Sequence, residues 1–299
     1  MRKLLTTRKV FNLFNLLFMI ALVAVMIFPY LNILAKAFNV GEDTAMGGIT
    51  IFPREFTWDN FKAVVEDSAF PLASFVSVIR TALGTLAAVV VQFLVAYVFI
   101  HKDIYGKNAL LMFLMIPMYF GGGLIPCYIY FSNTGMLNNW ALYILPSAFS
   151  LYNMVIIRSY METLPVSLRD AAYLDGATEF QVLTNVITPL CKPILATVAL
   201  WSAVGHWSDY TTTMYYFTNK KLYTLQYLLY QVLKETERIE AMLKEAAMRG
   251  DELIGAQQAL TTESIRCAQI IITTVPIIIT YPFLQKYFIQ GVTLGAVKD

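Results

Sequence analysis

The chain has 299 residues, of which 58% are hydrophobic and only 14% are charged, and its formal net charge is +2. Soluble domains carry about 25% charged residues, so this composition indicates an integral membrane protein. The small net charge argues against a nucleic-acid-binding surface. The three cysteines are far apart in sequence and match no metal-site spacing, so we expect packed hydrophobic side chains, no metal and no cofactor.

Apolar segments with few or no ionisable side chains predict the membrane-spanning helices. A helix rises about 1.5 Å per residue, so about 20 apolar residues cross a hydrocarbon core of about 30 Å. Six segments meet or approach this length, and we predict an all-α, polytopic membrane protein with a single domain over residues 1–299. The predicted spans are residues 11–35, 81–100, 109–131, 140–157, 193–217 and 267–285. The third span contains Gly121, Gly122, Gly123 and Pro126, which predict a bend.

The distribution of Lys and Arg in short loops predicts the orientation of the chain. Four basic residues lie among the first ten, so we expect a multi-pass protein of the plasma membrane with both termini in the cytoplasm. This orientation places residues 158–192 inside the cell and the long segment 218–266 outside. Residues 234–260 of the outer segment are rich in helix formers and predict an amphipathic helix, either a solvated connector or a docking surface.

Residues 158–192 form a polar segment between two predicted spans. Pro165 suits a first helical turn, and the helix that follows is expected to end at Gly176, which permits a sharp change of direction. Thr178 and Gln181 have the spacing of a capping box, which predicts a second helix. The segment therefore predicts two helices joined by a glycine elbow, which is more than a simple connection requires.

The first of these helices combines small and acidic side chains. The small residues are Ala171, Ala172 and Gly176, and the acidic residues around them are Asp170, Asp175 and Glu179. Small side chains permit the close approach of another backbone, and a charged rim is typical of a helix inserted into a cleft of a partner protein. The alternative is a helix resting on lipid headgroups, which is less favourable because an anionic leaflet repels acidic side chains.

The sequence DAAYLDGATEFQVLTNVITP, residues 170–189, resembles the signature of ABC importer permeases. That signature reads Glu-Ala-Ala, three residues, Gly, nine residues, Ile, any residue, Leu-Pro. The positions that match in spacing are Asp170 in place of Glu, Ala171, Ala172, Gly176, Val186 in place of Ile, Thr188 in place of Leu, and Pro189.

Other segments extend the resemblance over nearly the whole chain. PREFTWDNF (53–61), MYFGGGLIPCYIY (118–130) and FIQGVTLGAVKD (288–299) resemble carbohydrate-importer permeases of the maltose-permease-like, binding-protein-dependent family. Within that family, MYFGGGLIPCYIY, ILPSAFSLYNMVIIRSYMETLP (144–165) and YTLQYLLYQVL (223–233) are similar to the subgroup for complex polysaccharides and oligosaccharides, including aldouronate-type substrates.

The resemblance implies a type I importer fold with six transmembrane helices, and a transport subunit that is not an enzyme. It implies a heterodimer with a second related permease, two cytoplasmic ATP-binding subunits that hydrolyse ATP, an extracellular solute-binding protein and a carbohydrate substrate. Residues 158–192 would then hold the coupling helix. The residues implied in docking to the ATPase are Asp170, Ala171, Ala172, Asp175, Gly176 and Pro189.

Polar side chains inside the predicted spans are candidates for the transport pathway, because they are costly in lipid and usually face a cavity or another helix. The candidates are Arg80, Gln92, His206, Trp207 and Asp209. Arg80 is expected to bind an acidic sugar, to snorkel, or to pair with an acid, and Gln92 to bond a neighbouring helix. The other three are expected either to contact a sugar or to lie at the membrane interface.

Other classes of protein fit the sequence less well. An intramembrane enzyme would need a catalytic motif, and neither HExxH nor GxSxG is present. An ion-coupled secondary transporter would need charges buried at mid-span and repeats between its halves. Among importers, a non-sugar solute is the alternative substrate, because importers of different substrates share the docking signature.

Overall fold

The computed structural model describes residues 2–101, 104–249, 263–280 and 282. This part of the chain consists of helices, turns and loops, with an isolated antiparallel bridge between Asn39 and Phe56, which confirms the predicted all-α class. In chain order the helices are α1 (Arg2–Ala37), α2 (Gly41–Ala45), α3 (Asp59–Glu66), α4 (Phe70–Ile100), α5 (Lys107–Tyr119), α6 (Leu124–Asn133), α7 (Trp140–Ile144), α8 (Leu151–Glu162), α9 (Val166–Leu174), α10 (Glu179–Gln181), a π-helix (Val182–Ile187), α11 (Thr188–Leu190), α12 (Lys192–Ser208), α13 (Thr211–Tyr216), a 3₁₀-helix (Lys220–Leu222), α14 (Leu225–Arg249) and α15 (Glu263–Thr280).

Three helices in the described part of the chain are long and apolar enough to cross a membrane, namely Arg8–Ala37 within α1, α4 and α15. Two bent pairs raise this number to five if each pair forms one span. The helices α5 and α6 meet at 111°, and Glu179–Leu190 meets α12 at 78°. Helix length and composition therefore do not confirm the predicted number of six spans.

The predicted span 140–157 is broken in the structure into α7 and α8. Pro146 lies between them and has no backbone N–H to donate to a helix, and the Ser150 side chain caps α8 by accepting a hydrogen bond from the Asn153 N–H. The bend that the glycines predict between α5 and α6 is confirmed. Gly123 has a φ of +82° at that bend, which residues with a Cβ rarely adopt.

The helix predicted in the outer segment is confirmed as α14, which begins earlier than expected, at Leu225, and is described through Arg249. The remainder of that prediction, residues 250–260, lies outside the described residues. So do the last residues of the predicted span 267–285 and the C-terminal motif 288–299.

The chain divides into two compact units. The first contains the described residues of Met1–Phe70 and Leu229–Val275. Its core packs α1, α3 and α15 together through Ala37, Val64, Cys267 and Ala268. An ion pair between Lys36 Nζ and Glu263 Oε1, 2.7 Å apart, also joins α1 to α15.

The motif 53–61 belongs to the first unit and is held by the fully buried Asn39. The Asn39 Oδ1 accepts hydrogen bonds from the backbone N–H groups of Arg54 and Glu55, both at 2.8 Å. The Arg54 Nε donates to Asp43 Oδ2 at 2.9 Å. The Asn39 side chain thus provides the hydrogen-bond acceptor for two backbone N–H groups that lie outside any helix.

The second unit contains the described residues of Pro71–Leu228 and Pro276–Asp299. One of its core clusters joins α4, α8, the π-helix and α12. The buried members are Phe93, Ala96, Tyr97, Phe99, Leu151, Met154, Ile157, Met161, Val182, Leu183, Ile187, Cys191 and Val198. Ala172 and Ala177 pack against this cluster, so the polar segment 158–192 is anchored to the long helices of its unit.

Candidate functional site

Helix α9 ends in a left-handed turn at Gly176, as the sequence predicts. Gly176 has a φ of +79°, a conformation that favours glycine. The Gly176 N–H donates to the Tyr173 carbonyl at 3.0 Å, and the Ala177 N–H donates to the Ala172 carbonyl at 2.9 Å. This pair of bonds is a Schellman motif, which fixes the angle at which the chain leaves α9.

The capping box predicted after this elbow is confirmed. The Thr178 side chain accepts a hydrogen bond from the Gln181 N–H, and the Gln181 Oε1 accepts one from the Thr178 N–H at 2.8 Å. The chain then continues as the π-helix and α11, which contains Pro189, and bends at Cys191 into α12. The predicted helix, elbow and helix are therefore present.

Most of the docking candidates are exposed. The exposed ones are Asp170, Ala171, Asp175, Gly176 and Pro189. Ala172 is half-buried and packs against the core of the second unit. Two large apolar side chains of the same segment are also exposed, Leu174 at 89% and Phe180 at 72%. Exposed apolar side chains next to small and acidic residues are typical of a surface that binds another protein.

A cavity of about 490 Å³ in the second unit brings together four of the five pathway candidates. Its wall includes Arg80 and Gln92 of α4, His206 of α12, and Asp209 directly after α12. The rest of the wall contains aromatic, hydroxyl and amide side chains, among them Phe131, Tyr143, Ser147, Asn153, Ser202 and Tyr216.

Arg80 is 3% exposed and forms an ion pair with Asp209. Its Nη2 donates to Asp209 Oδ2, and its Nη1 donates to the Asp209 carbonyl at 2.9 Å. The guanidinium carbon also lies 4.4 Å from the ring centroid of Tyr143, within the range of a cation–π contact. Of the alternatives that the sequence leaves for Arg80, the structure shows pairing with an acid.

Asp209 also ends helix α12. Its Oδ1 accepts hydrogen bonds from Thr211 Oγ1 at 2.6 Å and from the Thr212 N–H at 3.1 Å, so the carboxylate caps the start of α13. Because one carboxylate both caps a new helix and pairs with Arg80, the predicted span 193–217 is interrupted after Ser208.

Two buried polar atoms in the cavity wall are unsatisfied. Gln92 is 1% exposed, and its Nε2 donates to the Ala148 carbonyl at a long 3.5 Å. Within the described residues, Gln92 Oε1 and Arg80 Nε have no hydrogen-bond partner. Buried polar groups are normally paired, and both atoms are covered by the surrounding protein, so neither meets a guest in the cavity without a movement of its side chain.

The His206 ring packs directly on Gly84 of α4. A Cβ placed on Gly84 would lie 2.8 Å from His206 Nδ1, well inside contact distance. On the cavity side, Ser147 Oγ lies 3.5 Å from His206 Nε2. A glycine is therefore needed at this position of α4 for the imidazole to lie where it does.

The fifth pathway candidate lies elsewhere. Trp207 lines a separate, apolar cavity of about 420 Å³ together with Val78 and Ala203. Neighbouring residues of a helix point about 100° apart, so Trp207 and His206 face different sides of α12.

Two groups of cavity residues were missed from the sequence. Ser202 lies four residues before His206 and shares its helix face, so helical spacing was a signal that could have found it. Tyr143 lies in α7 and Ser147 lies in the loop after it, and both line the cavity. They were missed because one unbroken span was predicted for this part of the chain.

Two of the three cysteines are packed inside the protein, as the sequence predicts for hydrophobic side chains. Cys191 and Cys267 are buried, Cys127 is half-buried, and all three are free thiols. Within the described residues, no three His, Cys, Asp or Glu side chains are grouped so that they could hold a metal ion.

Bent apolar helices, a partly polar cavity and a structured polar elbow between two helices are features expected of the membrane subunit of a transporter. The chain matches the family described as "Binding-protein-dependent transport system inner membrane component" over residues 6–294 and belongs to that family. It is therefore an integral membrane transport subunit and not an enzyme, and the resemblance to ABC importer permeases is confirmed.

The relatives of this chain include permeases for complex carbohydrates. Protein LplC of Bacillus subtilis (strain 168) is 35% identical over 97% of this chain and 95% of its own length. The polygalacturonan/rhamnogalacturonan transport system permease protein YtcP of the same organism is 28% identical over 96% of both chains. Both alignments extend over nearly the entire sequence, so the similarity is not confined to the docking signature.

One solved structure shows the same fold. The crystal structure of a bacterial ABC transporter involved in the import of the acidic polysaccharide alginate contains a chain with a TM-score of 0.81 and 24% identity. The match covers 94% of this chain and 97% of that one. The predicted ABC importer permease fold is thereby confirmed.

Gly84→Ala is expected to push the His206 ring toward the cavity and to lower transport more than it lowers thermal stability. Gly205→Ala is the matched control, because Gly205 also lines the cavity and a Cβ there meets no described atom within 4 Å. Uptake by cells and the melting temperature of each purified variant are the measurements. Equal uptake by the two variants would show that transport is insensitive to the position of the imidazole.

Proposed function

We propose that this chain forms half of the translocation pathway of an ATP-driven, binding-protein-dependent importer of oligosaccharides or polysaccharide fragments. The cavity that contains Arg80 carries this proposal. Its aromatic faces suit the apolar faces of sugar rings, and its hydroxyl and amide groups suit their hydroxyls. The similarity to YtcP, a polygalacturonan/rhamnogalacturonan permease, and to the alginate transporter supports a carbohydrate.

The cavity selects a sugar by its hydroxyl groups and ring faces more than by its charge. The Arg80 guanidinium is compensated by Asp209, so it does not offer the cavity an unpaired cation. Neutral and uronic-acid oligosaccharides therefore both belong to the proposed substrate class.

The proposed assembly contains a second related permease, two cytoplasmic ATP-binding subunits and an extracellular solute-binding protein. Helix α9 and the elbow at Gly176 dock on one ATP-binding subunit, and the exposure of Leu174 and Phe180 supports this assignment. The protein then lies in the plasma membrane with both termini in the cytoplasm. ATP binding moves the docked elbow as a rigid body, and the long helices follow because the elbow is anchored to their core.

Reconstitution tests the proposed function directly. The four kinds of subunit are assembled in proteoliposomes with ATP inside, and uptake is measured for labelled neutral oligosaccharides, uronic-acid oligosaccharides, amino acids and short peptides. We expect uptake of an oligosaccharide that requires both ATP and the binding protein. Uptake of an amino acid or peptide in its place, or uptake without ATP, contradicts the proposal.

A further inference from the structure

The Glu179 carboxylate joins two helices of the second unit through two tyrosine hydroxyls. Tyr97 Oη donates to Glu179 Oε2 at 2.6 Å, and Tyr173 Oη donates to Glu179 Oε1 at 2.8 Å. Each carboxylate oxygen therefore accepts one short hydrogen bond, which fixes the direction as well as the length of the link.

The two tyrosines belong to different functional elements. Tyr173 is on α9, the proposed coupling helix, and is exposed. Tyr97 is near the C-terminal end of α4 and is only 7% exposed. Glu179 begins the short helix α10 after the Gly176 elbow, so its carboxylate bridges the coupling helix and a long helix of the core.

The charges around this link favour an ionised carboxylate between neutral phenols. The hydrogen bond from Tyr97 holds the pKa of the Glu179 carboxyl below its usual value, and the hydrogen bond from Tyr173 and the nearby His101 and Arg169 act in the same direction. Burial raises the pKa of the Tyr173 phenol. The bonds are therefore charge-assisted at neutral pH and weaken only as the pH falls through the lowered pKa of Glu179.

Helix α4 continues from this link to the cavity. It is one uninterrupted helix of 31 residues, and Arg80 and Gln92 in the cavity wall belong to it. Tyr97 and Arg80 lie about 25 Å apart along the helix axis at the usual rise per residue. A displacement of Tyr97 along or across that axis is carried to the cavity wall because the helix is stiff.

We propose that Glu179 is a positioning residue for coupling, which transmits movement of α9 to α4 through Tyr97 and so to the cavity. This inference rests on the proposed function, in which α9 is driven by an ATPase. The apolar contacts of Ala172 and Ala177 with the core also hold the segment, but such contacts are non-directional. The carboxylate link adds a directional connection to one residue of α4, Tyr97.

The test compares four variants in the reconstituted complex: Tyr97→Phe, Glu179→Ala, the double variant of these two, and Glu179→Gln. The readout is the ratio of ATP hydrolysis with the sugar-loaded binding protein to hydrolysis without it, together with subunit co-purification and melting temperature. Tyr160→Phe is the matched control. In the wild type, the Tyr160 hydroxyl donates to the Leu190 carbonyl of the same segment at 3.3 Å. The control variant therefore also loses one hydroxyl hydrogen bond, but this bond does not involve Glu179.

We expect Tyr97→Phe and Glu179→Ala each to lower the stimulation ratio about fivefold or more, with the complex still assembled. The double variant is expected to lose no more than Glu179→Ala alone, since that substitution already removes the partner of the Tyr97 hydroxyl. Glu179→Gln keeps one acceptor and adds one donor, so it retains most of the stimulation. Tyr160→Phe stays near the wild-type ratio.

Two results overturn this inference and leave the proposed function standing. The first is an unchanged ratio in Tyr97→Phe, which removes a single hydroxyl and is therefore informative even if Glu179→Ala fails to assemble. The second is an equal loss in Tyr97→Phe and Tyr160→Phe, which would indicate a general loss of structure. A third result is a wild-type complex that shows no stimulation at all. It overturns the proposed function along with the link, and it differs from the other two results because it concerns the wild type and not a variant.

Discussion

Replacement of Asp209 by Asn is expected to destabilise the protein strongly and to abolish transport. The substitution keeps an oxygen that caps α13 and removes only the charge that compensates Arg80. The guanidinium then stays 3% exposed without a counterion. Removing one partner of a buried ion pair costs about 3 to 5 kcal/mol.

The double variant Arg80→Met with Asp209→Asn separates stability from transport. Replacing both members of a buried pair by neutral side chains of similar size is often nearly neutral for stability, so we expect the melting temperature to recover. Uptake is expected to stay low, because the cavity wall loses the Arg80 guanidinium that lies against the Tyr143 ring.

Melting temperature and uptake, measured on the single and double variants, check this prediction. If uptake returns together with stability, the pair has a structural role alone, and Arg80 and Asp209 are not part of the pathway. If Asp209→Asn is as stable as the wild type, the description of Arg80 as a buried and compensated charge is wrong.

Gly176→Leu is expected to weaken the binding of the chain to its ATP-binding subunit by about tenfold, which corresponds to about 1.4 kcal/mol. A bulky side chain at the centre of an interface pushes the partner away, and the loss of a central contact costs more than about 1 kcal/mol. A Cβ at Gly176 meets no described atom within 4 Å, so the chain itself leaves room for it. The added side chain instead fills the space that the proposed partner occupies.

Gly135→Leu is the matched control for this effect. Gly135 has a φ of +69°, Gly176 has a φ of +79°, and both have open space around the Cβ position. The backbone strain of a residue with a Cβ is therefore similar in the two variants, about 1 to 2 kcal/mol. Gly135 lies in the turn after α6, on the predicted outer side.

Co-purification of the ATP-binding subunit and stimulated ATP hydrolysis distinguish the two variants. We expect both measurements to fall in Gly176→Leu and to stay near wild type in Gly135→Leu. Equal results for the two variants would mean that the elbow contributes backbone geometry alone, and the docking assignment of residues 170–176 would be lost.

The elbow was predictable because its determinants are local. Gly176 and the pair of Thr178 and Gln181 act within one or two helical turns, and they form the left-handed turn and the capping box that their spacing predicts. The bend at Gly123 has the same kind of local cause. Such interactions depend on residues close in sequence, so the amino-acid sequence alone contains the information needed to predict them.

The partners of the cavity residues were not predictable in this way. Arg80 and Asp209 are 129 residues apart, and Tyr97 and Glu179 are 82 residues apart. Helical spacing assigns each side chain to a face of its own helix, but it does not say which helix that face meets. Trp207 shows the consequence, because it was grouped with His206 by proximity in sequence and lies on another side of α12.

The sequence by itself determined that this protein is an all-helical membrane protein, where its polar elbow lies, and which transporter family its signature resembles. Only the tertiary structure decided that Arg80 is compensated by Asp209, that Glu179 joins α9 to α4, and that a predicted span is broken between α7 and α8. The physical reason is that hydrophobicity and capping act over a few residues, whereas the pairing of charges and hydroxyls depends on which helices pack together.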